Sequence, residues 1–79
     1  MKMSKAMLKE IRVAKGEKAL VIVLRKIVKN YTDLDKQDMS VILDIVGSLR
    51  TYGWTFNKET KRLHKEGEIN INLSGISFK

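Results

Sequence analysis

Ser40-Val-Ile-Leu-Asp-Ile-Val-Gly-Ser-Leu-Arg-Thr-Tyr-Gly-Trp-Thr-Phe56 is where the chain changes texture. Up to Tyr52 the apolar residues fall at helical spacing, and past Gly53 they alternate with polar ones. Leu34, Val41, Ile42, Ile45, Val46, Leu49 and Tyr52 define an apolar face roughly 100° or more wide. Lys36, Gln37, Ser40, Asp44, Gly47, Ser48 and Thr51 lie opposite. The spacing predicts a helix over 34–52. Thr32, Asp33 and Asp35 offer N-caps, and their negative charge suits the positive end of the helix. Gly53 is a natural left-handed stop. Helices before that point and a small antiparallel sheet after it make an α+β domain.

Downstream, Trp54-Thr-Phe56 predicts a short strand, residues 57–60 a polar turn and Lys61 to His64 a return strand. Gly67 permits a second turn before Ile69, Ile71 and Leu73, which alternate with Asn70 and Asn72. Ser74-Gly75 turns again, and Ile76-Ser-Phe78 adds a short final strand whose edge is open.

Upstream, Glu17 to Tyr31 admits two readings. Leu20, Leu24, Ile27, Val28 and Tyr31 make a broad helix face, with Lys18, Arg25, Lys26 and Lys29 clustered on the other side. The continuous apolar run from Ala19 to Leu24 also fits a buried strand. Length and the later charge spacing favour a helix. Before it, residues 2–14 place Met3, Met7, Ile11 and Ala14 on one helical face and Lys2, Lys5, Lys9 and Arg12 nearly opposite. Gly16 ends or kinks this first helix. The expected architecture is three N-terminal helices and a C-terminal sheet. They form one domain over 1–79, helical through 52 and β from 53.

The chain has 79 residues, so its core is small. Its net charge of +7 is concentrated. Residues 1–30 carry Lys2, Lys5, Lys9, Arg12, Lys15, Lys18, Arg25, Lys26 and Lys29 against only Glu10 and Glu17, which accounts for the whole excess. A polyanion is drawn to that third first. The bland alternative is a solvated face.

Several chemistries are missing. With no cysteine, disulfides, thiolate metal sites and thiol catalysis are excluded. The longest apolar run, Ala19 to Leu24, is far too short to span a membrane, so the expected compartment is a cytoplasm and no membrane partner is expected. Asp33, Asp35 and Asp38 invite a calcium loop, but the sixth and twelfth positions hold Asp38 and Asp44 where glycine and glutamate are required; helix capping accounts for them better. His64 stands alone, a surface strand histidine without a partner for catalysis or metal binding. No glycine motif for phosphate binding occurs. Gly47, mid-helix on the polar face, costs ~1 kcal/mol against alanine unless another backbone or a partner comes close. Of Met1, Met3, Met7 and Met39, two share the first helix's apolar stripe, where core packing is the commoner role and docking the alternative. The expectation is a protein without cofactor or catalysis.

The segment 40–56, followed by the turn at 57–60, resembles the end of a winged helix-turn-helix DNA-binding domain, a likeness covering residues 34–73. In that family a helix closing on a Leu-x-x-x-Gly-apolar step runs directly into a β-hairpin wing. Here the step is Leu49-Arg-Thr-Tyr-Gly53-Trp54. The resemblance implies a wing carrying Lys58, Lys61, Arg62 and Lys65.

Two functions follow as expectations. In the first, a small DNA-binding regulator holds phosphates through Lys2, Lys5, Lys9 and Arg12 of the first helix, Lys18, Arg25 and Lys29 of the second, and Arg50, Lys58, Lys61, Arg62 and Lys65. Ser40, Ser48 and Thr51 add backbone or base-edge contacts. DNA stands ahead of RNA, and single-strand stacking would need an exposed Trp54 or Phe56. In the second, a small inhibitor or adaptor covers an acidic or nucleic-acid-binding protein, using the methionine stripe, the open edge at 76–78 and Gly47. A homodimer would use the same surfaces.

Overall fold

Ser4 sets the start of the first helix. Its backbone is extended and its hydroxyl accepts the Met7 N–H at 3.1 Å, so α1 spans Lys5–Val13 and does not begin at Lys2. The computed structural model describes residues 2–78; Met1 and Lys79 lie outside them. Two hydrogen bonds hold the segment before α1 against the rest of the chain. The Met3 N–H donates to Oδ2 of buried Asp38 at 2.9 Å, and the Ser4 N–H donates to the Tyr31 hydroxyl at 2.9 Å. Met3 and Met7 are consequently core residues, so the methionine stripe is not a docking surface.

The run 19–24 is helical, within α2, Glu17–Asn30. Leu20, Val23, Leu24 and Ile27 are buried while Ile22 is exposed. A strand would have turned Ile22 inward with Leu20 and Leu24, and Val23 outward. Gly16, at a φ of 85°, makes the corner between α1 and α2.

The main departure from expectation precedes the third helix. Asp33–Leu34 is a short strand, β1, and α3 spans Lys36–Arg50 with Asp35 at its N-cap position. Leu34 is fully buried, but from a strand. β1 pairs in parallel with β5, Ser77–Phe78, placing Asp33 opposite Ser77 and Leu34 opposite Phe78. The strand at 77–78 is therefore paired on one side, with β1 and not with the antiparallel sheet, and the division into helical residues 1–52 and β residues 53–79 fails at β1. Two-residue strands offer too few positions for alternation to be seen.

At its C-terminus α3 closes by two bonds across a left-handed glycine. The Gly53 N–H reaches the Arg50 carbonyl at 3.1 Å and the Trp54 N–H reaches that of Leu49 at 3.2 Å, with Gly53 at a φ of 100°. Tyr52, placed by its spacing on the apolar face, lies in this turn and is exposed. Gly47 is different: it is helical, and a Cβ there would meet nothing within 4 Å. Alanine substitutions at the two glycines therefore have opposite signs. Gly47→Ala is expected to stabilise the domain by ~1 kcal/mol, and Gly53→Ala to destabilise it by ~1–2 kcal/mol. Urea denaturation of both variants checks this, and shifts in the same direction would refute it.

Beyond the turn, β2 (Thr55–Asn57), β3 (Arg62–His64) and β4 (Ile71–Asn72) form an antiparallel sheet in that order. Phe56 faces Leu63 across the hairpin and Leu63 faces Ile71. Asn57 shapes the turn, its side-chain oxygen accepting the N–H groups of Glu59 and Thr60 at 2.9 and 3.2 Å. Ile69 is 77% exposed and does not join the inward face of Ile71 and Leu73. Leu63, Ile71 and Trp54 complete a core built on Leu24, Ile27, Ile42 and Leu49. α2 is the hub, touching α1, α3 and β4, while α3 also touches β2. Among the described residues no helix is long and apolar enough to cross a membrane.

Candidate nucleic-acid interface

On α1 the core-facing residues Met7, Ile11 and Ala14 leave the opposite side to Lys5, Lys9 and Arg12, which are exposed, as is Lys2 just before the helix. On α2 the same logic leaves Lys18, Ile22, Arg25 and Lys29 in one outward row. Lys18 and Lys29 are exposed. The two rows belong to adjoining helices. Lys26 Nζ reaches Glu10 Oε1 at 3.3 Å across the junction, and a shallow groove of about 400 Å³ there is lined by Ser4, Ala6, Met7, Glu10, Lys26, Lys29 and Asn30. Glu10 is the only carboxylate within α1, and Lys26 engages it. At half-exposure that pair adds little stability, but it leaves Lys2, Lys5, Lys9, Arg12, Lys18 and Lys29 with no anionic partner in contact among the described residues. Lys26, one of the α2 cations outside the expected binding set, stands at the junction of the two helices.

Two sequence-predicted residues are engaged within the molecule instead. Arg25 is half-buried, and its Nη2 donates to the Ile69 carbonyl at 2.7 Å, holding the loop before β4 against α2. Lys65 donates to Glu17 Oε2, which also accepts the Trp54 indole N–H at 2.9 Å. Trp54 is buried, so it offers no platform for base stacking. The Lys65 and then the Trp54 hydrogen bonds hold the Glu17 carboxyl below its ordinary value of 4.5. A depressed carboxyl contributes stability that is complete above the ordinary value and is lost as pH falls through the lowered one. Melting temperatures taken downward from above pH 4.5 should therefore fall more steeply for the native chain than for Glu17→Gln. Parallel curves would show that the triad adds no pH-dependent stability.

The remaining predicted cations do not join the α1–α2 face. Glu17 and Lys26 are nine residues apart, hence on opposite sides of α2. Glu17 meets Trp54 and Lys65, while Lys26 meets α1, so the hairpin and α1 flank α2 on opposite sides. Arg50, Lys58 and Lys61 gather around clefts between α3 and the hairpin. Lys36, which the sequence set omitted, joins them at the other end of α3. Arg62 is exposed on the outer face of the sheet, alternating with buried Leu63. On that face His64 Nδ1 lies 2.7 Å from Asn70 Oδ1. The twelve predicted residues thus divide into an α1–α2 face, an α3–hairpin group, a sheet-face arginine and two internally engaged cations.

The hydroxyls expected to contact backbone or bases are partly occupied. Ser40 Oγ donates to the Gln37 carbonyl at 2.8 Å and Thr51 Oγ1 to that of Ser48 at 2.6 Å, leaving only their acceptor lone pairs. Among the described residues no group of three or more His, Asp or Glu side chains is placed to hold a metal ion. No protein-family model matches the chain, and neither does any curated protein or solved structure.

Proposed function

We propose that the protein is a non-catalytic nucleic-acid-binding domain that holds the phosphate backbone of a duplex, DNA ahead of RNA, on the exposed basic rows of α1 and α2. One observation carries this reading. Lys5, Lys9, Arg12, Lys18 and Lys29 are exposed on two packed helices, as is Lys2 just before the first, and the one carboxylate of α1 is engaged by Lys26. Lys5 to Arg12 covers about 10 Å of helix axis and Lys18 to Lys29 about 16 Å. Glu10 meets α2, and Lys5, Lys9 and Arg12 lie about 100–160° round α1 from it, so each helix presents its own row of cations. A duplex presents one phosphate per ~1.7 Å of its axis, and a row of this length meets several at once. Contacts of this kind position a protein without reading sequence. Burial of Trp54 favours the duplex over a stacked single strand.

The finer likeness to a winged helix is proposed for the path of the chain alone, since the phosphate contacts are assigned to α1 and α2 and not to α3 and the hairpin. Its support is α3 running through the left-handed Gly53 straight into the β2–β3 hairpin, as a recognition helix meets its wing. A cytoplasmic setting accords with a chain that has no cysteine. The experiment is a salt titration of affinity for a mixed-sequence duplex, run on the native chain and on the Lys5→Gln, Lys9→Gln, Arg12→Gln triple variant. A flat salt response in the native chain, or a triple variant that binds as the native chain does, overturns the proposal.

A further inference from the structure

The outward stripe of α3 is Lys36, Ser40, Leu43, Gly47 and Arg50, each three or four residues from the next and about 21 Å from end to end. The hairpin lies along one side of it. Between them runs an apolar cleft of about 160 Å³ walled by Met39, Ile42, Leu43, Phe56, Leu73 and the stems of Lys58 and Lys61. It opens at one end beside Lys36 and Ser40 and at the other beside Gly47 and Arg50. Leu43 is 48% exposed at its centre. Four cations, Lys36, Arg50, Lys58 and Lys61, therefore rim an uncovered strip of carbon. Asp44, the exposed carboxylate of α3, sits ~60–80° round the helix on the side away from the hairpin.

Two residues on this groove break the local backbone rules: Lys61 does so at the end of the hairpin turn, where its N–H donates to the Asn57 carbonyl at 2.7 Å and its carbonyl accepts the Leu73 N–H at 2.8 Å, whereas no described contact accounts for Gly47. Gly47 weakens the middle of α3, although a Cβ there would meet open space. Lys61 is the one described residue other than glycine with a positive φ, 55°, where glycine or asparagine fits at lower cost. Such exceptions cluster where a chain is shaped for binding. Gly47 lets another backbone approach α3, and the Lys61 conformation presents its side chain at the cleft.

We infer that the groove between α3 and the β2–β3 hairpin binds an acidic amphipathic helix of a partner protein. Its apolar residues lie over Leu43 and Phe56, its carboxylates meet the four cations, and its backbone crosses at Gly47. This is the helix-in-groove mode, read by anchors at i, i+3 or i+4, and i+7. A phosphate backbone would meet the rim but leave the carbon floor uncovered. A second copy of this chain, with a net charge of +7, would bring like charge to the rim.

The test uses a synthetic helical peptide of about 16 residues, roughly four turns, with Leu or Phe at every third or fourth position and Glu elsewhere. Its controls are the same peptide with Lys replacing Glu, and a mixed-sequence duplex. Amide shifts in ¹⁵N spectra of the full chain report the site. The acidic peptide is expected to shift Leu43, Gly47, Phe56, Lys58 and Lys61, and the Lys-substituted peptide to shift none of them. Gly47→Leu and Lys61→Gly should each weaken acidic-peptide binding by about tenfold or more, equivalent to ~1.4 kcal/mol. Neither should lower the melting temperature, because each removes an unfavourable backbone choice. The Lys5→Gln, Lys9→Gln, Arg12→Gln variant should bind the peptide as the native chain does, which separates this site from the duplex face. The inference is overturned if the duplex moves these amides and the acidic peptide does not, if both peptides bind equally, or if binding survives both groove substitutions.

Discussion

Replacing Lys5, Lys9 and Arg12 together by glutamine is expected to weaken binding to a mixed-sequence duplex by 10²–10³-fold at ~0.1 M salt, and to halve the salt dependence. The magnitude follows from counterion release, in which each neutralised phosphate contributes about 0.9 to the slope of log affinity against log salt. If Lys2, Lys5, Lys9, Arg12, Lys18 and Lys29 each engage one phosphate, the native chain should lose roughly 10³ in affinity between ~50 and ~200 mM salt. With three of the six gone, the loss over the same range should be roughly 40-fold. Folding should be little affected, because all three side chains are exposed and none has an anionic partner in contact among the described residues. Removing like charges three and four apart on α1 even relieves a small repulsion. Lys58→Gln with Lys61→Gln is the control: these residues lie on the opposite flank of α2, and their loss should leave the slope close to native. A triple variant with the native slope would place the phosphates elsewhere. Equal loss in both variants would mean diffuse attraction by the net charge instead of a defined face.

What could be read from the residues, and what could not, divides along physical lines. The three helices were legible because each turns a stripe of apolar positions to the core, as Leu20, Val23, Leu24 and Ile27 do in α2 and as buried Met7 with half-buried Leu8 and Ile11 do in α1. Gly53 announced the end of α3 because a left-handed residue there is nearly confined to glycine. β5 falls within the strand expected at 76–78, but β1 and the pairing of the two were hidden: that pairing joins residues more than forty positions apart and leaves no periodic trace. The charged face on α1 was legible because an exposed lysine needs no partner to be where helical spacing puts it. The engagement of Lys65 and Arg25 was not legible for the converse reason. Their partners, Glu17 and the Ile69 carbonyl, arrive from distant sequence, and each ties a cation to the rest of the molecule. The left-handed conformation of Lys61 had no signal at all, since residue identity there argues against it.

Leu24→Ala is expected to destabilise the domain by ~2–5 kcal/mol, against a change within ~0.5 kcal/mol for Ile22→Ala two residues away on the same helix. Leu24 is completely buried in the element that touches α1, α3 and β4, so its truncation opens a cavity where three elements meet. Ile22 is 49% exposed on the outward row and loses little packing when shortened. The contrast is consequential in a chain this short. At ~0.05–0.15 kcal/mol per residue the whole domain holds about 4–12 kcal/mol, so one buried leucine accounts for a sixth of the total or more. With ~4–8 °C of melting temperature per kcal/mol in domains of this size, Leu24→Ala should melt at least ~8 °C below the native chain and at its worst be unfolded at 25 °C. Ile22→Ala should melt within ~4 °C of it. Urea denaturation followed by Trp54 fluorescence measures both, because the buried indole and its bond to Glu17 are lost on unfolding. Equal effects at the two positions would contradict the helical phase of α2. A larger loss at Ile22 than at Leu24 would mean that the run 19–24 presents its other side to the core, and the outward row formed by Lys18, Arg25 and Lys29 would then be turned inward with it.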